Sequence, residues 1–133
     1  MPRILWISLL VAGLLACTTS PLGRRQLKLF PEAQMATMGV ESFQRIQLDQ
    51  PQTQDAAKIR YVQCIASAIT RAIEPGQGPG SWEVIVFEEK SANAFALPGG
   101  KIGVHTGMLA VAAHQPQLAA VIGAELGANT EIC

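Results

Sequence analysis

The stretch Glu74–Ser81, "EPGQGPGS", constrains this chain more than any other, because it holds two prolines and three glycines. Proline lacks a backbone donor and glycine forfeits conformational entropy, so neither a helix nor a central strand runs through such a segment. What precedes it has helical periodicity. Ile59, Val62, Ile65, Ile69 and Ile73 recur every three or four residues, while Lys58, Arg60, Gln63 and Arg71 mostly occupy the other faces, the pattern of a helix with one face on a core. A looser helix is predicted from Pro31, a residue suited to a first helical turn, with Glu32 favourable to the dipole there. Its apolar positions are Met35, Met38, Phe43 and Ile46, and Pro51 ends it.

Beyond the break, "WEVIVFEE" (Trp82–Glu89) is rich in β-branched and aromatic residues and predicts a strand with Trp82, Val84 and Val86 on one face. An extended segment follows, then a helix from about Gln115 onward. Helix, helix, strand, extended segment and helix make an α+β order and exclude a repeating βαβ one. In the last helix Leu118, Val121, Ile122 and Leu126 are apolar. With no later element to cover them, they are expected to expose a patch that invites association.

At the other end, "MPRILWISLLVAGLLACTTS" joins a positive charge at Arg3 to an apolar run from Ile4 to Ala16. That run is too short for about 30 Å of hydrocarbon and suits the central region of a secretory signal. "LLAC" (Leu14–Cys17) is similar to a bacterial lipobox, which makes Cys17 the expected lipidated N-terminus. An ordinary cleaved signal with a chance cysteine is the plainer alternative. We therefore divide the chain into a signal peptide (1–16), a lipidated tether (17–30) containing "TTSPLGRR", and one domain (31–133). Within the tether "QLKLF" is readable as an extended edge. The expected location is a membrane-anchored lipoprotein facing the periplasm, with Thr18 pointing to the outer membrane. Export implies an oxidising compartment. Cys64 and Cys133 then either pair, or stay as a buried free thiol and a frayed terminal cysteine, which is the preferred reading. The 133 residues carry 10 basic and 10 acidic side chains, a balance that predicts no nucleic-acid partner.

"NAFALPGGKIGVHTGML" (Asn93–Leu109) resembles, nearly letter for letter, a segment of the HExxH zinc endopeptidases of family M48, which includes HtpX-like membrane proteases and periplasmic lipoproteins. "PQLAAVIGAELGAN" then falls where that family carries its catalytic helix. The resemblance covers about Pro31 to Asn129. It implies an incomplete zincin-like metallopeptidase fold: N-terminal helices, a small sheet with a strand at the cleft edge, and a catalytic-type helix at the C-terminus. By resemblance, Asn93, Ala94, Phe95, Ala96, Leu97, Pro98, Gly99 and Gly100 line the substrate cleft. Read on residues alone, "LPGG" is a turn allowing close backbone approach. "NAFAL" is either an internal strand or one that adds an extended or unfolded polypeptide through main-chain hydrogen bonds.

The chemistry departs from the family. In H-E-x-x-H two histidines four apart share a helical face and bind Zn²⁺, and the Glu activates the metal-bound water. Here Ala124 and Ala128 stand in both histidine positions, while Glu125 keeps the place of the general base. The third ligand, a downstream Glu in the family, is expected to be absent. A methyl group cannot coordinate zinc, so zinc, the family's cofactor, is not expected to bind this chain. His105 and His114 lie before the helix and are read as ordinary surface or loop histidines. Glu125 is expected to be solvated.

Three readings follow. The chain is an exported lipoprotein of the metallopeptidase family, with proteolysis and protein quality control as the family's role, but inactive as written. Or it is a disarmed module that still binds polypeptide through "NAFALPGG". Or it is an active endopeptidase whose remaining part is supplied elsewhere. His-to-Ala needs two base changes per codon, which disfavours sequence error as the source of both alanines.

Overall fold

The computed structural model describes residues 17–19, 25–27, 29–73, 75–76 and 78–126, with the backbone alone for the first two stretches. It divides into two units, residues 1–31 and 32–133. In the first, β1 (Cys17–Thr19) pairs antiparallel with β2 (Arg25–Leu27), Cys17 opposite Leu27. The segment read as a plain tether thus contains a strand pair, and the extended reading of "QLKLF" holds for its first two residues. The proposed signal, residues 1–16, lies outside the described residues.

The second unit contains the rest: α1 (Glu32–Asp49), α2 (Ala56–Arg71), β3 (Glu83–Phe87), β4 (Ala94–Leu97), β5 (Lys101–His105), α3 (Thr106–Val111) and α4 (Gln115–Leu126). This is the expected α+β order, with α3 added where the sequence was read as extended.

α2 starts where its cap dictates. Asp55 is extended (φ −74°, ψ 101°) and its carboxylate accepts from the N–H groups of Ala57 at 2.9 Å and Lys58 at 3.3 Å, satisfying donors that the helix leaves open. These bonds, from Lys58 first and then Ala57, hold the Asp55 carboxyl below its ordinary value. The predicted stripe is buried at Val62, Ile65 and Ile69, with Ala66 beside them, while Ile59 and Ile73 at its ends are half-buried.

The sheet order is β3-β5-β4: β3 and β5 run parallel, and β4 returns antiparallel as an edge strand. Alternation sends Val86, Ala94, Ile102 and Val104 to one face, where they meet Val62, Ile65, Leu118 and Ile122. Trp82 and Val84 pack against the same core. The other face is also covered. Phe43 of α1 is fully buried there, edge-on to Phe87 at 6.1 Å and Phe95 at 6.3 Å between ring centroids.

Two expectations are corrected. Leu118 and Ile122 are fully buried and Val121 and Leu126 are partly buried against the core, so α4 does not leave its apolar stripe open. α2, β4 and the rest of the core cover it. Cys64 is exposed on α2 and disulfide-bonded. It falls one position outside the buried stripe, so it is neither buried nor free. Its partner, and Cys133 with it, lies outside the described side chains.

Candidate functional site: an edge strand beside a helix

β4 and β5 form a hairpin with Leu97 opposite Lys101. The loop Pro98-Gly99-Gly100 takes φ of +86° and +75° at its glycines, values that L side chains rarely adopt. The hairpin tip is also hemmed in. A Cβ on Gly39 of α1 would overlap the carbonyl oxygen of Pro98, and one on Gly100 would overlap that of Ser81. The "LPGG" turn thus has the close approach that its composition predicts. α1 on one side and the loop before β3 on the other fix where the chain turns from β4 into β5.

The pairing pattern decides which groups of β4 face outward. His105 N–H donates to Asn93 O at 2.9 Å. In an antiparallel ladder hydrogen-bonded and non-bonded pairs alternate. Asn93, Phe95 and Leu97 therefore turn their main chain towards β5, and Ala94 and Ala96 turn theirs to the outer edge. Among the described residues no backbone hydrogen bond outside the sheet engages Ala94 or Ala96. The edge offers donors and acceptors of the kind that an added strand uses.

α4 packs against β4 and α2. Leu118, Ala119, Ile122 and Gly123 face inward, while Ala124 and Glu125 are exposed. Glu125 is solvated, as expected. Ala128 lies outside the described residues. The residues present do not fit a zinc ion: Ala124 offers a methyl group, and the described residues contain no group of three His, Cys, Asp or Glu able to hold a metal. His114 is exposed just ahead of α4, where its carbonyl accepts from Gln117 at 3.0 Å and Leu118 at 3.2 Å.

His105 is the residue that sequence reasoning misplaced. It is neither surface nor loop but the last residue of β5, only 5% exposed. Strand parity puts it on the α1 face, perpendicular to Phe87 (6.2 Å, 85°) and Phe95 (6.0 Å, 82°). Its Nδ1 shares a 2.7 Å hydrogen bond with Ser91 Oγ. Its Nε2 is buried and finds no partner among the described residues, a situation that typically costs about 1–3 kcal/mol. The signal that could have found it is the register Phe87↔His105, which the sequence does not state.

Comparison with known proteins places these elements in a family. The family model described as "Peptidase family M48" matches residues 56–131, from the first turn of α2 through α4. One curated relative, the mitochondrial metalloendopeptidase OMA1 of Arabidopsis thaliana, is 51% identical over 47 residues. That alignment covers 35% of this chain but 10% of the relative, so the chain spans a small part of the protein it matches. One continuous match takes in the capped helix, the edge strand, its glycine turn and the helix beside it, over half of the sequence: the chain belongs to peptidase family M48, a family of zinc-dependent metallopeptidases.

Proposed function

We propose that this chain is an exported, lipid-anchored member of the family that holds extended polypeptide along β4 and does not hydrolyse it. One observation carries the reading: an edge strand whose outward main-chain groups are unpaired among the described residues lies against a helix whose first ligand position is an exposed alanine. Polypeptide binding at such an edge uses main-chain hydrogen bonds and tolerates many side chains. Zinc binding needs converging deprotonated ligands, and Ala124 and Ala128 supply none. Glu125 could still take a proton, but water without a metal is a far weaker acid than metal-bound water, whose pKa is about 7. It would have no activated nucleophile to make.

Purified protein is expected to contain no stoichiometric zinc by elemental analysis and to leave casein intact, yet to bind it. Stoichiometric zinc with cleavage that a chelator abolishes would instead identify a live endopeptidase, the reading that the retained Glu125 favours. Anchoring has its own check. Cys17→Ser should abolish fatty-acid labelling and release the protein from membranes, and unchanged labelling would refute lipidation at Cys17.

A further inference from the structure

We propose that His105 is a positioning residue that holds the edge strand ready for an extended polypeptide, an inference that rests on the polypeptide-binding reading above. Two hydrogen bonds from this one residue reach the turn that feeds β4. Its backbone N–H donates to Asn93 O at 2.9 Å, and its imidazole Nδ1 meets Ser91 Oγ at 2.7 Å. The turn closes on itself through Asn93 N–H to Ser91 O at 3.0 Å. Fixing Ser91 therefore fixes Asn93, and Asn93 sets the register in which Ala94 and Ala96 present their outward groups. The backbone bond would form with any residue at this position. Only the side-chain bond needs histidine.

The surroundings argue against a packing role. The imidazole stands edge-on to Phe87 and Phe95 on the aromatic face, and its Nε2 has no partner there among the described residues. A phenylalanine would suit this environment without leaving a polar atom unsatisfied. A polar group kept where an apolar one packs better is the mark of a residue retained for a task other than stability. The task that the geometry points to is the Ser91 bond. Ser91 itself is exposed, so without an anchor its turn would exchange hydrogen bonds with water.

The test uses the full chain and the variants His105→Phe, His105→Asn and Ser91→Ala. Amide exchange is read across β4 and, as internal control, across β3. His105→Phe should melt at or above the wild-type temperature while amides of Asn93–Leu97 exchange about tenfold faster and those of Val84–Phe87 do not change. Ser91→Ala, an exposed substitution that leaves the core alone, should show the same local acceleration. His105→Asn, whose amide can reach the hydroxyl from near the Nδ1 position, should restore protection. Unchanged β4 exchange in Ser91→Ala would overturn the inference, as would equal acceleration in β3, since that reports global loosening. Binding of fluorescein-labelled, reduced and carboxymethylated lactalbumin is measured in parallel, with about tenfold weaker affinity expected for Ser91→Ala and His105→Phe. Equal affinity despite faster exchange would overturn the functional part. No binding by the wild type would remove the polypeptide reading, while the exchange result still decides the clamp.

Discussion

On the side of α2 and α4 the sheet presents aliphatic residues, Val86, Ala94, Ile102 and Val104, and the helices answer with more of the same. On the side of α1 it presents Phe87, Phe95 and a histidine, under a single phenylalanine from a helix that buries only Gly39 and Phe43. The first face is held by many interchangeable contacts, the second by a few large rings and one polar group. The same three strands therefore carry a general-purpose core on one face and a positioning surface on the other. This comparison can be broken experimentally.

The largest expected effect is on the ring side. Phe43→Ala should cost about 3–5 kcal/mol and Ile65→Ala, on the aliphatic side, about 2–5 kcal/mol, read by urea denaturation. Since the sheet separates the sites, the double variant should equal the sum to within about 0.5 kcal/mol. A larger coupling would mean that the faces act as one core. Next is Gly39→Ala. Glycine-to-alanine inside a helix normally stabilises by about 0.5–1 kcal/mol. Here the added Cβ would meet the Pro98 carbonyl, so a loss of about 1–3 kcal/mol is expected. A gain in thermal stability would show that α1 does not press on the hairpin tip.

Smaller is the ion pair between Lys101 Nζ and Glu83 Oε2 at 2.6 Å, on neighbouring parallel strands. The glutamate is 44% exposed, so a double-mutant cycle with Lys101→Met and Glu83→Gln should yield about 0.2–1 kcal/mol, falling in high salt. Smallest is the Asp55 cap. Its carboxyl lies below the ordinary value of 3.8 when folded, so its stabilisation is present above pH 3.8 and is lost as pH falls through the lower folded value. Asp55→Asn, which still accepts from the helix N–H groups, should flatten that part of the acid limb. An unchanged acid limb would assign the loss to other carboxylates.

The comparison also explains what could be read in advance. α2 was legible because its stripe repeats with the period of the helix, although its Asp55 cap was not singled out. The hairpin turn was legible because few sequences other than glycine pairs accept two positive φ values in succession. The aromatic face was not legible. Phe43, Phe87, Phe95 and His105 come from four elements, and what joins them is the register Phe87↔His105 and Phe95↔Gly103. A shift of one residue would have sent each to the other face. His105 therefore looked like a loop histidine until the pairing of β3 with β5 was known. The candidate site divides the same way: "NAFALPGG" and the alanines at 124 and 128 are visible in the letters, whereas the edge position of β4 depends on sheet order. α3, "TGMLAV", was missed because a six-residue helix offers too little periodicity to stand out.

The sheet order has a kinetic consequence. β3 and β5 are parallel neighbours, yet Glu83 must find Lys101 at a sequence separation of 18, over a stretch that contains β4 and its glycine turn. Closing that loop before the hairpin exists would sacrifice chain entropy for little gain, whereas β4 and β5 meet across three residues. The hairpin should thus assemble first and serve as the template on which β3 docks. Substitutions at Leu97 or Ile102 should slow refolding, while those at Val84 should chiefly speed unfolding in stopped-flow measurements. The strand proposed to receive a guest polypeptide late in the life of the molecule would be among the earliest of its parts to form.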